Sequence, residues 1–381
     1  MFDAPAPHVF TLPPGVDFAK ELVRGLTERF AGQPPEAMAK LRLFVNSQRM
    51  RRRVVEVMTA DGARFLPRIT VLTDLHREPI LAGFAPTVSP LRQRLELAKL
   101  IGKLLEAQPD LAPRSALYDL ADSLSTLLGE MRDEGVSAQT LADIDVSNHS
   151  AHWARSQAFL KIIAPVMANQ GDDQARQREA ALRLAAFWQA DPPANPIIIA
   201  GSTGSRGATA LLMQAVARLE LGAVVLPGFD DDLPETVWQA MDDVLTAEDH
   251  PQFRFRMLMD ALQITPADLK PWRTVTPANS ARNRLISLSL RPAPVTDQWL
   301  VEGATLPDLV ATTGDVTLIE AAGPREEALA IALILRDAVE RGVRAALITA
   351  DRSLSRRVAA ALDLWRIVPD DSAGDPLALS A

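Results

Sequence analysis

Cysteine is absent from the 381 residues of this chain. Without thiols the chain forms no disulfide and offers no thiolate ligand for zinc or for an iron–sulfur cluster. Histidine is scarce as well, and of the five present only His149 and His152 are close in sequence. Two ligands without an evident third make a poor metal site, so the sequence predicts no metal site.

The chain also lacks the run of about 18 apolar residues that a membrane-spanning helix requires. Its first segment, Met1–Leu12, has no basic stretch followed by an apolar one, as a secretion signal would. We therefore expect a cytoplasmic protein that does not contact membranes. The net charge of −8 is unlike the basic balance of a small DNA-binding protein, so any DNA contact must come from a local basic surface.

Strand-like and helical patterns alternate in residues 1–75 and return in residues 195–275. Apolar runs at His8–Leu12 and Leu41–Val45 are each followed by an amphipathic stretch, and further apolar runs stand at Pro196–Ala200 and Gly222–Pro227. Strands that alternate with helices favour a parallel sheet with crossover helices. Residues 76–194 contain helical patterns almost throughout, which predicts a large helical insertion in this α/β domain.

Residues 276–381 indicate the start of a second α/β domain. The pattern predicts strands at Val316–Glu320 and Ala345–Ala350, with helices at Pro324–Glu340 and Ser353–Leu364. Two strands alone would leave both sheet edges exposed. Either they join the earlier sheet or, as we favour, this domain is incomplete and the chain is the front portion of a longer protein.

The sequence contains no ATP-binding P-loop, which requires G-x-x-x-x-G-K-[ST] between a strand and a helix. The first strand–turn–helix reads Pro13-Pro14-Gly15 at its turn, with one glycine and no lysine. Proline provides no amide donor for a phosphate. The dipeptide Gly102-Lys103 lies inside the helical insertion and is followed by leucine. We therefore predict that this chain does not hydrolyse ATP.

The most distinctive turn comprises Gly201, Ser202, Thr203, Gly204 and Ser205, between an apolar strand and a helix. Glycines, hydroxyls and a helix N-terminus at the carboxyl end of a strand make a candidate site for a phosphate or the DNA backbone. The alternative is a tight turn in which Ser205 or a neighbour caps the helix. The dinucleotide spacing G-x-G-x-x-G is missing, and nothing in the sequence ties His250 to a serine nucleophile here.

Charged clusters supply the remaining candidates. Arg49, Arg52 and Arg53 share one face of a predicted helix, where they either bind phosphates or form a solvated, salt-bridged face. Asp351 and Arg352 follow a predicted strand, and capping by Asp351 is the simpler interpretation of that pair. The acidic run Asp230–Asp232 is explained by loop solvation or capping as well as by metal binding.

Ten short segments spread along the chain resemble the N-terminal, helicase-like part of the AddB family of alphaproteobacteria. They are Val9–Gly15, Asn46–Arg49, Leu66–Ile69, Ala200–Ser205, Val224–Asp230, His250–Gln252, Leu290–Ala293, Glu326–Ala328, Ala350–Arg352 and Asp370–Gly374. The chain departs from the family pattern at Gly207, where proline is expected, and mildly at Asp363–Ile367.

This resemblance implies a subunit of an AddAB-type helicase–nuclease, which resects DNA ends in double-strand break repair and recombination. It implies RecA-like, superfamily 1 helicase-like domains that act as a non-catalytic scaffold for DNA and for an AddA-type subunit. The family's iron–sulfur cluster belongs to a C-terminal nuclease domain that this sequence lacks, so no cofactor is expected here. An α/β enzyme or phosphate-binding protein that uses the Gly201–Ser205 turn is the alternative.

Overall fold

A computed structural model describes residues 5–78, 88–109, 112–137 and 173–372, together with Phe2, Thr140 and Gly374. Contacts within the chain divide it into two compact units, Met1–Pro307 and Asp308–Ala381. The sequence pattern suggested a division after residue 275 instead.

The first unit is built on a parallel sheet of six strands in the order β3-β2-β4-β5-β1-β6. The strands are β1 Val9–Leu12, β2 Arg42–Val45, β3 Arg68–Val71, β4 Ile197–Ala200, β5 Gly222–Pro227 and β6 Lys270–Pro271. Every paired strand runs parallel to its neighbour. The prediction of an α/β domain with a parallel sheet is therefore confirmed.

The four strands predicted from apolar runs are the inner strands of this sheet. β4 lies between β2 and β5 and is completely buried, which explains why it reads Ile-Ile-Ile-Ala without polar alternation. The two strands that the sequence did not reveal, β3 and β6, are the edge strands. β3 is only partly buried, and β6 has two exposed residues, one of them a proline that an edge tolerates.

Helices cover both faces of the sheet. Those of the first unit in the described residues are α1 Phe18–Arg29, α2 Ala37–Lys40, α3 Gln48–Thr59, α4 Pro90–Ala107, α5 Leu117–Glu134, α6 Asp173–Ala190, α7 Gly207–Ala217, α8 Glu235–Ala240, α9 Val244–Ala247, α10 Phe253–Leu262, α11 Ser280–Ser289 and α12 Gln298–Glu302. Within the described ranges no helix combines the length and apolar character needed to cross a membrane.

Two apolar clusters fix which helices lie on which face. α1 and α3 bury Leu22, Leu26 and Val54 on one face, together with Leu43 and Ile198 of the sheet. The opposite cluster joins side chains from α6, α7 and α10 to sheet residues; among them are Leu184, Leu212, Met259, Phe44 and Ile199. Residues 227–272, whose sequence shows no regular pattern, contain α8, α9 and α10.

The described part of the insertion between β3 and β4 is helical. α4 and α5 bury an apolar stripe of their own that includes Leu97, Ile101, Leu124 and Leu128. α6 instead packs on the sheet through residues such as Trp188. The helical pattern at 154–167 lies outside the described residues.

The second unit contains α13 Leu309–Thr313, α14 Pro324–Glu340 and α15 Arg352–Asp363. α14 and α15 pack through Ala328, Ala332, Val358 and Leu362, and α14 has the predicted bounds. The predicted strands Val316–Glu320 and Ala345–Ala350 were wrong, since the structure assigns no strand to the described residues of this unit.

Those two segments have the composition of strands without their hydrogen bonds. A β-strand requires a neighbouring backbone, and β-branched residues favour a strand only where they also find a surface to pack on. Here Leu318 is 84% exposed and Ile348 is 95% exposed. The local pattern therefore predicted strands, but the described residues of this unit contain no neighbouring strand to pair with them.

We predict that Gly25→Ala destabilises the first unit, because the Trp272 indole lies directly against the Cα of Gly25. The indole Nε1–H also donates to the Leu22 carbonyl at 3.2 Å, so the ring cannot move away without loss. Overpacking of this kind costs about 1–3 kcal/mol. Thermal and urea unfolding followed by tryptophan fluorescence measure the loss.

The matched control is Gly102→Ala, also a helical glycine, where a new Cβ would make only an ordinary contact at 3.9 Å with Leu117. That change should stabilise the protein by about 0.5–1 kcal/mol, because alanine is the better helix former. Equal effects at the two positions would contradict the role of the Trp272 contact.

Candidate functional site

The carboxyl edge of the sheet contains a crevice between β2 and β4. The chain leaves β2 towards the face covered by α1 and α3, and it leaves β4 towards the opposite face, where α7 packs. Neighbouring loops that diverge in this way open the crevice in which parallel α/β sheets bind ligands. The Gly201–Ser205 turn lies at this point.

Glycine is required at two positions of the turn. Gly201 and Gly204 have φ values of +76° and +70°, in the left-handed region that side chains disfavour. A Cβ at Gly201 would also meet the Phe18 ring at 3.2 Å. Inside the turn the Gly204 N–H donates to the Ser202 hydroxyl at 3.2 Å. The turn has the rigid, glycine-shaped form that the sequence predicts.

A polar cavity of about 430 Å³ lies beside the turn. Ser202, Thr203 and Asn46 contribute hydroxyl and amide groups from the sheet side. The opposite wall comes from the helical insertion and includes Asp133 and Gln177. Its size is within the range of small-molecule pockets, roughly 300–1,000 Å³.

One amide at the N-terminus of α7 is already bound by a carboxylate of the chain. The Gly207 N–H donates to Glu134, the last residue of α5, at 3.1 Å. α5 approaches so closely that a Cβ on Gly207 would lie 2.6 Å from the Asp133 carbonyl, which also accepts a bond from Arg178 at 2.8 Å. An internal carboxylate therefore takes a position where a phosphate would bind.

The alternative interpretation expected Ser205 or a neighbour at the N-cap, and the structure places the neighbour Arg206 there. The N-cap residue is Arg206, which makes no capping bond with its side chain, and Glu134 caps the helix from the insertion. The contact also bears on Gly207, where the resemblance stated above leads one to expect proline. A proline at this position would have no N–H to donate to Glu134.

The turn after β1 differs from the turn after β4 in its residues and contacts. Pro13 and Pro14 have no N–H groups, and the Asn283 amide donates to the Pro14 carbonyl at 2.8 Å. Gly15, with φ of +80°, faces Asn283 and Pro277 at 3.4 and 3.6 Å. Asp17 then caps α1 by accepting the Lys20 N–H at 3.1 Å.

Within the predicted arginine face, Arg53 is partly buried, whereas Arg49 and Arg52 are exposed. Arg53 pairs with Asp17 at 2.8 Å and with Glu56 at 3.0 Å, so it joins α3 to the start of α1. Burial raises the pKa of Asp17, but the hydrogen bonds from Arg53 and the Lys20 N–H outweigh burial and leave that pKa below its ordinary value. Arg53 is therefore engaged in a structural ion pair.

Arg49 and Arg52 are exposed, and so is Arg51, which the helical-face argument did not select. All three lie in the first turns of α3, directly after the carboxyl end of β2. We call Arg49, Arg51 and Arg52 the α3 basic surface. It joins the two exposed arginines of the predicted cluster to Arg51.

Asp351 and Arg352 lie in the second unit. Asp351 caps α15 by accepting the Ser353 N–H at 2.7 Å, and Arg352 pairs with Asp371 at 3.1 Å. The strand expected before them is absent from the structure, so they do not stand at the rim of a sheet. This geometry agrees with the interpretation that Asp351 caps a helix.

The acidic run Asp230–Asp232 adjoins a buried polar cluster that the sequence did not indicate. Burial raises the pKa of all three carboxyl groups, and repulsion from their neighbours adds to this at Asp231 and Asp232. Arg291, whose side chain is 2% exposed, binds the Ser287 hydroxyl and Glu302 at 3.1 Å each. Across the described ranges, no group of three or more acidic or histidine side chains is arranged to hold a metal ion.

His250 belongs to the same region and is 8% exposed. Its Nδ1 accepts the Gln252 N–H at 3.2 Å, while its buried Nε2 has no hydrogen-bond partner. Burial, with a smaller contribution from the Arg291 charge, lowers the pKa of His250. The ring is therefore held neutral, and no contact connects it with the Gly201–Ser205 turn.

Comparison with known proteins did not assign the chain to a family. No model of a protein family matches it. No curated protein sequence matches it either.

We predict that the stability of the first unit decreases as the pH falls from about 7 to 5. His250 is harder to protonate in the folded chain, so the unfolded chain takes up more protons below its ordinary pKa of about 6.5. His250→Asn keeps an acceptor for the Gln252 N–H but does not titrate, and its stability should fall less. Urea unfolding at successive pH values measures the difference.

The raised pKa of Asp230 has the opposite effect, because the folded chain then binds that proton more readily. It acts at lower pH, nearer the ordinary range of a carboxyl group. The difference between wild type and His250→Asn isolates the histidine, since both proteins keep Asp230. Equal pH slopes in the two proteins would contradict the prediction.

Proposed function

We propose that this chain is a non-catalytic, helicase-like scaffold of the AddB type, with a RecA-like sheet, which binds DNA ends and an AddA-type subunit in double-strand break repair. One observation carries the non-catalytic part of the proposal. At the turn after β4 the Glu134 carboxylate accepts the Gly207 N–H, and at the turn after β1 two prolines provide no N–H groups for a phosphate.

Nucleotide hydrolysis needs a cradle of backbone amides together with a lysine and a hydroxyl. After β1 the turn has two prolines and no lysine. After β4 the turn has glycines and hydroxyls, yet Glu134 holds the Gly207 amide and brings a negative charge to the place of a phosphate. This arrangement supports a sheet that serves as a frame while the partner subunit hydrolyses ATP.

The α3 basic surface supports the DNA-binding part of the proposal. It stands at the carboxyl edge of the sheet, and arginines there can bind the DNA backbone without reading its sequence. The chain carries a net charge of −8, so attraction must be local and strongly dependent on salt. The AddA-type partner rests on the sequence resemblance alone.

A second candidate is an α/β protein that binds a nucleotide or phosphate at the Gly201–Ser205 turn. The polar cavity of about 430 Å³ in the β2/β4 crevice favours it. In that case a ligand would fill this cavity beside Thr203 and Ser205. The two candidates differ in whether the turn binds phosphate at all.

We predict that the purified chain does not hydrolyse ATP and that Mg–ATP, ADP and inorganic phosphate leave its melting temperature unchanged. A ligand that binds the folded state would raise the melting temperature. A rise that Thr203→Ala combined with Ser205→Ala removes would favour the second candidate. Sustained ATP hydrolysis would exclude the scaffold proposal.

We predict that charge reversal of the α3 basic surface, as R49E/R51E/R52E, weakens binding to a blunt-ended duplex about tenfold or more at low salt. The slope of log K against log salt should fall by up to about three, since each phosphate contact contributes about 0.9. Fluorescence anisotropy with a labelled duplex measures both quantities.

The control variant R92E/R114E/R341E changes the net charge by the same amount at exposed arginines elsewhere. It should retain most of the binding. Similar losses in the two variants would show an effect of net charge only, and unchanged binding in the first would exclude the α3 basic surface as the DNA contact.

A further inference from the structure

A second cavity lies on the face covered by α1 and α3, at the end remote from the turns described above. α1 and α3 follow parallel strands and run back along the sheet, so their C-termini lie near the amino ends of β2 and β3. There they border a cavity of about 690 Å³ lined by Phe30, Pro34, Met38, Met58, Arg64 and Phe65, among others. We call it the amino-edge groove.

The base of the groove is fixed by the core of the first unit. Met58 is 1% exposed and belongs to the apolar cluster beneath α1 and α3, and Phe30 and Met38 pack against that cluster. Phe65, in contrast, is 55% exposed at the rim. An apolar concavity with a rigid base and an exposed aromatic side chain is typical of an interaction site.

Among the described residues that line the groove, Arg64 is the only charged one. Its ion pair with Asp61 is long, at 3.9 Å, and Asp61 is 89% exposed. Such a surface pair contributes little energy, so the guanidinium exchanges it readily for a better placed carboxylate. The groove is therefore complementary to an apolar group with a negative charge beside it.

The volume and the lining residues of the amino-edge groove indicate which kind of molecule fits it. The volume lies well inside the range of roughly 300–1,000 Å³ for pockets that enclose a whole ligand or several side chains. None of the lining residues belongs to a strand, so the groove does not offer hydrogen bonds to an added strand. Met38 is only partly buried, and methionines at such positions adapt to side chains of different shapes in grooves that receive helices.

We propose that the amino-edge groove binds an amphipathic helix of a partner protein, with apolar side chains at i and i+3 or i+4 in the groove and a carboxylate paired with Arg64. The proposal is independent of the DNA contact at the opposite edge of the sheet. Apolar side chains anchored in the pocket provide most of the affinity, and the ion pair provides orientation.

The probe is a displayed library of amphipathic helical peptides, selected on the full chain. Selected peptides should share apolar residues at helical spacing with a neighbouring Asp or Glu, and labelled copies should bind in fluorescence anisotropy. Phe65→Glu should weaken binding tenfold or more, whereas Leu245→Glu, at a 93% exposed residue outside the groove, should not.

The charge contact has its own test. Arg64→Glu should weaken a selected peptide about tenfold, and a peptide with Lys in place of its acidic residue should recover binding to that variant. Unfolding curves of Phe65→Glu and Arg64→Glu should match wild type, since both side chains lie at the surface. Failure to select such peptides, or binding that Phe65→Glu leaves unchanged, overturns the proposal.

The remaining occupants give distinct results. Self-association in analytical ultracentrifugation that Phe65→Glu abolishes would identify a second copy of this chain instead of a partner helix. Octanoate binding that Phe65→Glu removes, in a chain that selects no helical peptide, would identify a small amphiphile. Either result excludes the partner helix.

Discussion

The hydrogen-bonded ladder of β4 with β2 and β5 is the interaction on which the first unit depends. Ile197 to Ala200 pair on both sides, with Arg42–Val45 and with Gly222–Val225. β4 thus joins β2 and β3 to β5, β1 and β6 in the described sheet. Complete burial on both faces explains its purely apolar sequence, and its position creates the crevice at the Gly201–Ser205 turn.

The two edges of this sheet present different chemistry. At the carboxyl edge, the turn after β1 has two prolines without N–H groups, Glu134 accepts the Gly207 N–H at α7, and the α3 basic surface faces solvent. At the amino edge the groove beside Phe65 is apolar with a single arginine.

Local pattern was sufficient where burial was complete. The apolar runs that became β1, β2, β4 and β5 predicted the inner strands, and Pro324–Glu340 matched α14 because its first-turn proline and following glycine mark both ends. The sequence pattern did not reveal the edge strands of the sheet, because β3 and β6 have little apolar signal. It also failed at Val316–Glu320, because strand-like composition does not supply a neighbouring strand.

The sequence by itself determined the class of the fold, the glycine-shaped turn and the absence of a P-loop, since these depend on residue types at fixed local spacing. Only the tertiary structure decided what surrounds the turn. Glu134 reaches Gly207 across 73 residues, and Arg53 reaches Asp17 across 36. Contacts over such distances follow from how helices pack on the sheet, so only the structure shows that Glu134 accepts the Gly207 N–H beside the turn.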